Sequence, residues 1–371
     1  MDPEQQEPLL TLDKIHCCYG GVDAVHRLSF RVHQGQIVCL LGPSGCGKTT
    51  TLRAIAGFEP VCNGEVRLGG EVISAAGYTL PPERRRMGMV FQDYALFPHL
   101  TIYDNVTFGL RGLSRRERRA RADELLELVD LRGYGSRYPH ELSGGQQQRV
   151  SLIRAVAPRP AMVLLDEPFS NLDVDLRERL SREFHDIFRD QGVTAVLVTH
   201  DQHEAFAMAD EIGLMRDGRL LQWDTPFNLY HEPVDRFTAE FIGQGTLIGG
   251  RLLDHERVET PLGVLRGNRA FPWNPGTEVD VLLRPDDVRI TAIAPLQGRV
   301  VKRAFKGAET LYTLRTADGH QLLALAPSSI DHPVDAQVGI QIDTEHLVAF
   351  PRHEQEAGEE TLWYPLHAAN A

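Results

Sequence analysis

The stretch Gly42-Pro43-Ser44-Gly45-Cys46-Gly47-Lys48-Thr49 combines glycines, a lysine and a hydroxyl residue at the spacing that cradles a polyphosphate. Its glycines let successive backbone N–H groups turn inward onto phosphate oxygens, and a helix starting at its end adds a favourable dipole. Lys48 would reach the β and γ phosphates of ATP, and Thr49, with Thr50 beside it, would hold Mg²⁺. Met162-Val163-Leu164-Leu165-Asp166-Glu167 is an apolar run ending in two acids. Beside a phosphate loop, Asp166 is the expected magnesium carboxylate and Glu167 the base that polarises an attacking water.

These residues need a scaffold that brings strand ends together. From Leu9 to about Gly243, short β-branched apolar runs alternate with longer helical stretches, which predicts an α/β layer around a largely parallel sheet. Ile37 to Leu41, Met162 to Leu165 and Val193 to Thr199 read as buried strands. Helices are expected at Lys48 to Ala56, Val174 to Arg189 and Asp201 to Ala209. A helical insertion over about 93–158 separates the strand at Met87 to Phe91 from that at Met162. One of its helices starts at a Ser114/Glu117 capping box. Leu142-Ser143-Gly144-Gly145-Gln146 opens another helix there, at Gly144 to Ala157. Read alone, it is either a second anion-friendly helix start or a helix simply capped by Ser143.

Beyond Gly243 the texture becomes short alternating segments, such as Glu278 to Leu283, Gly298 to Arg303 and Thr310 to Leu314, with turn pairs such as Asp318-Gly319. A P-loop nucleotide-binding domain at 1–243 and a small all-β, OB-like barrel domain at 244–371 are expected, the seam falling in the glycine-bearing stretch Phe241 to Gly250. The acidic tail after Arg352 is expected to be loosely held.

With 39 basic against 51 acidic residues, the net charge of -12 argues against a nucleic-acid backbone as the main partner. The arginines at 115, 116, 118, 119 and 121 are read as a solvated helix face offset by Asp123, Glu124 and Glu127. No apolar run approaches the length of a spanning helix, and Met1 to Leu10 lacks an export signal, so a cytosolic protein is expected. Cys17, Cys18, Cys39, Cys46 and Cys62 form no CxxC pair and are expected to be reduced thiols. His200, Asp201, His203 and Glu204 have a metal-like spacing, but His200 ends a buried strand and has a phosphate role available.

GPSGCGKTT at 42–50, Gln92, LSGGQ at 142–146, LLDEP at 164–168, SNLD at 170–173 and VTH at 198–200 occur in an order that resembles the nucleotide-binding subunit of an ABC transporter. The resemblance spans about two-thirds of the chain. It implies a head-to-tail pair of copies, with each ATP between one copy's phosphate loop and the other's Ser143, Gly144, Gly145 and Gln146. It further implies that Tyr19 stacks on adenine, Gln92 links metal and water to the membrane partner, His200 contacts the γ-phosphate, and Asp173 signals between copies. Asn171 departs from the small apolar residue common at its position.

The C-terminal region, through Leu283-Arg284-Pro285-Asp286-Asp287, resembles the barrel extension of importer subunits of the maltose, polyamine, sulfate and ferric-ion type. Phe241-Ile242-Gly243-Gln244-Gly245 and Arg303-Ala304-Phe305-Lys306-Gly307 look most like ferric-iron importers. The expected function is thus ATP hydrolysis powering solute import, ferric iron first, with polyamine, sulfate or sugar as alternatives. The implied partners are transmembrane permease subunits and, indirectly, a periplasmic solute-binding protein, with the chain peripheral on the cytoplasmic face of the inner membrane. A soluble ABC ATPase acting on nucleic acid or ribosomes is the second reading, and a regulatory nucleotide-binding module the third.

Overall fold

The computed structural model describes residues 7–19 and 22–352, and the chain forms two compact units, Met1–Pro226 and Phe227–Ala371. The acidic tail lies outside the described residues. The first unit begins with β1 (Leu10–Tyr19), β2 (Val22–Val32), β3 (Ile37–Leu41), α1 (Lys48–Ala56), β4 (Asn63–Leu68), β5 (Glu71–Ala75), β6 (Tyr78–Thr79) and β7 (Met87–Val90). The helical insertion follows as α2 (Ile102–Thr107), α3 (Arg115–Leu128) and α4 (Gly144–Val156). The unit then continues through β8 (Met162–Asp166), α5 (Val174–Asp190), β9 (Ala195–Thr199), α6 (Gln202–Met208), β10 (Glu211–Arg216) and β11 (Arg219–Asp224).

Strands β3, β8 and β9 are buried at every position, as a parallel sheet covered on both faces requires. They sit in a six-stranded sheet of order β11-β10-β3-β9-β8-β7, in which only β11 runs antiparallel to its neighbour. Leu41 pairs with Thr199 and Asp166 with Val198, so the carboxyl ends of three central strands finish side by side. Open α/β sheets bind ligands at that edge. A second, antiparallel sheet has the order β2-β1-β4-β5-β6.

The insertion follows its capping signals. Ser114 Oγ accepts from the Glu117 N–H, while Glu117 returns its carboxylate to the Ser114 N–H at 2.8 Å. Helix α3 buries only Ala122, Leu125 and Leu126; Arg121 pairs with Glu124 and Arg119 with Asp123, so the arginine-rich face is solvated.

Helix α1 ends on a residue that the sequence did not advertise. Arg85, 1% exposed, donates to the carbonyls of Ala54 and Ile55 in the last turn, and to Leu80 O, Ile73 O and Ser74 Oγ. The guanidinium thereby satisfies helix-end acceptors while meeting the negative end of the helix dipole. Gly57 caps the helix at φ 88°, and a Cβ there would lie 2.4 Å from Arg85 Nε.

The expectation of five reduced thiols does not hold: Cys18 and Cys62 are joined as a disulfide, while Cys17, Cys39 and Cys46 are free and buried. The Cys62 N–H donates to the His16 carbonyl at 2.8 Å, and this strand neighbourhood brings together two residues far apart in sequence.

The second unit starts with α7 (Pro226–His231) and α8 (Arg236–Ile242), followed by β12 (Thr246–Leu252), β13 (Arg257–Thr260), β14 (Gly263–Arg266) and β15 (Glu278–Leu283). It ends with β16 (Val288–Thr291), β17 (Leu296–Phe305), β18 (Glu309–Thr316), β19 (Gln321–Pro327), β20 (Gln337–Ile342) and β21 (Val348–Pro351). Two five-stranded antiparallel sheets, β14-β13-β12-β15-β21 and β16-β20-β17-β18-β19, share one apolar core around Val281, Tyr312 and Leu314. The Leu325 N–H donates to Pro285 O, drawing the two ends of the second sheet together into a near-barrel.

The division falls after Pro226, earlier than the expected 243/244 seam, and the Leu283-Arg284-Pro285-Asp286-Asp287 segment explains why. Arg284, 3% exposed, donates to the carbonyls of Gly243 and Tyr230 and stacks over the Tyr230 ring at 4.6 Å. Its own N–H is taken by Asp287, and Ala239 packs on Leu282 and Phe350. The two helices are thus fastened to β15.

Candidate nucleotide-hydrolysis site

Strands β3, β7, β8 and β9, which lead into the phosphate loop, Gln92, the Asp166–Glu167 pair and His200, end at the same edge of the parallel sheet. The loop from β3 closes over residues 42–47 before α1 begins at Lys48. Gly47, at φ 101°, lies so close to β2 that a Cβ would meet Ala24 O at 2.5 Å; a Cβ on Gly42 would meet Met215 O at 2.2 Å. The loop is therefore pressed by backbone contact against one strand of each sheet, β2 and β10, and side chains are excluded at both positions.

Lys48, 4% exposed, donates through Nζ to Gly42 O at 2.8 Å and Pro43 O at 2.9 Å, which holds the ammonium inside the ring of the loop. Thr49 Oγ1 donates to Asp166 Oδ1 at 3.0 Å. Burial pushes the Asp166 carboxyl up from its ordinary value, opposed by the Thr49 hydrogen bond. Adjacent hydroxyl and carboxylate oxygens are the hard donor set that Mg²⁺ takes, with water and phosphate oxygens completing its shell. Cys46 is 3% exposed and burial raises its thiol, so its place in the loop is steric.

Glu167 leaves β8 on a left-handed backbone, φ 43°, an uncommon conformation for a residue with a side chain. Its N–H donates to Val198 O at 3.0 Å, and its carbonyl accepts from Ser170 Oγ at 3.0 Å. This turn aims the carboxylate at His200, whose Nδ1 lies 3.2 Å from Glu167 Oε2. The pair answers the metal reading of residues 200–204: His200 faces Glu167, while Asp201 caps α6 through the N–H groups of His203 and Glu204.

Behind His200 lies a network that sequence reasoning missed. Glu204, 3% exposed, accepts from Thr199 Oγ1 at 2.6 Å and stands 3.4 Å from Arg177 Nε; Arg177 also donates to Asp201 at 2.6 Å. Burial pushes the Glu204 carboxyl up from 4.5 to about 7, against the hydrogen bond from Thr199. The unfolded carboxyl titrates at its ordinary value, so between those two pH values the native chain keeps a proton that the unfolded chain has lost. Stability therefore falls as pH rises across that window and levels off above it. Glu204→Gln should remove a fall of up to about 3 kcal/mol. Urea unfolding of both proteins from acid to mildly alkaline pH measures it, and parallel stability curves would refute the shift.

Gln92 is brought to this edge through its backbone: Asn171 Nδ2 donates to Gln92 O at 2.9 Å. The departure at Asn171 is therefore a tie between the segment after β7 and the segment before α5. Asp173 accepts from the Leu176 N–H and caps α5. Ser143 and Gln146 form a capping box, Ser143 Oγ accepting from Gln146 N–H and Gln146 Oε1 from Ser143 N–H. Within one chain these signature residues make no hydrogen bond to residues 42–50 among the described residues. Tyr19 ends β1, and its side chain lies outside the described residues.

A phosphate loop, a strand-end acid pair and a separate signature helix on this sheet order define an ABC-type ATPase unit. The family pattern described as ABC transporter matches residues 25–170, and that described as TOBE domain matches residues 281–350. The chain belongs to the ABC transporter ATP-binding subunits, which are ATPases. It is 41% identical to the Fe(3+) ions import ATP-binding protein FbpC of Streptomyces avermitilis, over 92% of this chain and 97% of that one. It is 44% identical to the spermidine/putrescine import ATP-binding protein PotA of Acidothermus cellulolyticus, over 83% of this chain and 82% of that one. Its fold matches that of cbiO1 from Clostridium perfringens, part of the ABC transporter complex cbiONQ, with a TM-score of 0.56 and 24% identity, over 61% of this chain and 92% of that chain. Among the described residues no helix is long and apolar enough to cross a membrane.

Proposed function

We propose that this importer ATPase drives uptake of ferric iron. The observation that carries the reading is the likeness to an iron-import subunit along 97% of that relative's length, which takes in the β-rich unit as well as the ATPase unit. Polyamine is the second reading, favoured by the 44% identity to a spermidine/putrescine relative. The test is uptake by cells lacking this subunit, comparing Fe³⁺, spermidine, sulfate and maltose. Loss of iron uptake, restored by the wild-type chain, is expected. Normal iron uptake beside failed spermidine uptake would transfer the assignment to polyamines.

In this reading two copies close head to tail at the cytoplasmic face of the inner membrane. Lys48 of one copy and Ser143 and Gly145 of the other grip the same triphosphate, and Tyr19 meets the adenine. Thr49 and Asp166, with Gln92 nearby, hold Mg²⁺, which neutralises phosphate charge when bound. The 3.2 Å contact with His200 supports the next role: an Nδ1–H there steadies the Glu167 carboxylate, which takes a proton from the attacking water. His200 also touches the γ-phosphate, and Asp173 senses the facing copy. Permease subunits dock on the helical insertion, and a periplasmic binding protein delivers solute to them.

A further inference from the structure

His16, Asp23 and His26 lie on the β1–β2 hairpin, and no role in hydrolysis uses them. Their shared face is the product of backbone irregularity. In a regular strand Asp23 and His26 would point to opposite faces, because side chains alternate. The pairing steps from Cys17 opposite Val25 to Cys18 opposite Asp23, so Ala24 is an extra residue. A second irregularity lies between Ile15 opposite Leu28 and Cys17 opposite Val25, where Arg27 takes a positive φ of 49°. Ile15, Cys17, Val25 and Leu28 still enter the core, while His16, Asp23 and His26 emerge together on the outer face. Bulges of this kind re-aim side chains.

The ligand atoms of the three residues lie within 4.8 Å of one another, with both histidines half-buried and the aspartate exposed. His26 Nδ1 stands 3.8 Å from Asp23 Oδ2, too far for a hydrogen bond. Two ligands each about 2.0–2.2 Å from one ion stand about 3–4 Å apart, so the spacing suits an ion between them. The scaffold is braced on both sides. The Cys62 N–H is bonded to His16 O, and the His26 N–H donates at 2.7 Å to Gly218 O, whose own N–H donates to Cys46 O in the phosphate loop. His16 borders an open hollow of about 600 Å³, where Lys14 and Arg27 are balanced by Asp13 and Glu65.

We infer that His16, Asp23 and His26 form a binding site for a divalent first-row transition-metal ion. Two imidazoles and one carboxylate suit Zn²⁺, Ni²⁺, Co²⁺ or Fe²⁺ better than Mg²⁺ or Ca²⁺, which prefer oxygen throughout. The inference rests on the hairpin and is independent of which solute the importer carries.

The test is titration of the full chain with Co²⁺ and with Zn²⁺, free of nucleotide and Mg²⁺, followed by calorimetry and by the visible spectrum of bound Co²⁺. One ion per chain is expected, with ligand-field bands and no thiolate charge-transfer band. Losing an outer-shell partner of a metal site already weakens binding by about 10–100-fold, so His16→Ala or His26→Ala should weaken it by at least about 100-fold. Cys18→Ser/Cys62→Ser should leave binding unchanged. All variants are checked by thermal melting, and His26→Gln replaces His26→Ala if the latter does not fold. Absence of binding, binding indifferent to both histidines, or a thiolate band lost with Cys18 and Cys62 would each overturn the site.

Discussion

Glu167→Gln is expected to bind ATP with near wild-type affinity and to lose turnover by about 10²–10⁴-fold, the usual contribution of a positioned general base. The substitution is nearly isosteric, so the left-handed turn, the Val198 and Ser170 contacts and the approach to His200 all persist. What disappears is the capacity to accept a proton from water. In a head-to-tail pair, ATP that cannot be cleaved holds the two copies together, so the variant should run as a dimer with ATP and as a monomer without it. Phosphate release and size-exclusion chromatography read the two effects. Hydrolysis at the wild-type rate would remove Glu167 from the mechanism.

Mixing two dead chains should restore activity. Lys48→Ala removes the ammonium that the loop carbonyls now hold, and Ser143→Arg fills the space in front of the signature helix. Each variant alone has no competent site if every ATP lies between Lys48 of one copy and Ser143 of the other. A mixed pair has one site in which both residues are native. Random pairing of equal amounts should recover up to about a quarter of wild-type turnover, since half of the pairs are mixed and each has one working site of two. A mixture as inactive as its components would mean that Lys48 and Ser143 do not meet across copies.

The chemistry of the phosphate loop was legible because it is local: Gly42 to Thr49 must be contiguous, and the flanking strand and helix announce themselves through apolar runs and a glycine stop. The acid pair was legible for the same reason, since Asp166 closes a run of buried residues. Features that depend on strand neighbourhood were not. The Cys18–Cys62 link, the anchoring of α1 by Arg85 and the Asn171 tie all join residues distant in sequence whose types carry no spacing signal. The glycines at 243, 245, 249 and 250 look like a hinge in the sequence, whereas the chain divides after Pro226 because a buried arginine beyond them grips the preceding helices. The common face of His16, Asp23 and His26 was invisible because it requires an extra residue in one strand. Glu204 was noticed only as part of a metal-like string, because an acid at the third position of a short helix gives no sign that it is buried.

The amide of Asn171 has a mechanical consequence. Where a small apolar residue would leave the segments around Gln92 and Asp173 independent, a 2.9 Å side-chain bond makes them a single lever. The bond runs directly between the stretch leading into α5 and the stretch leading into the helical insertion, outside the central strands.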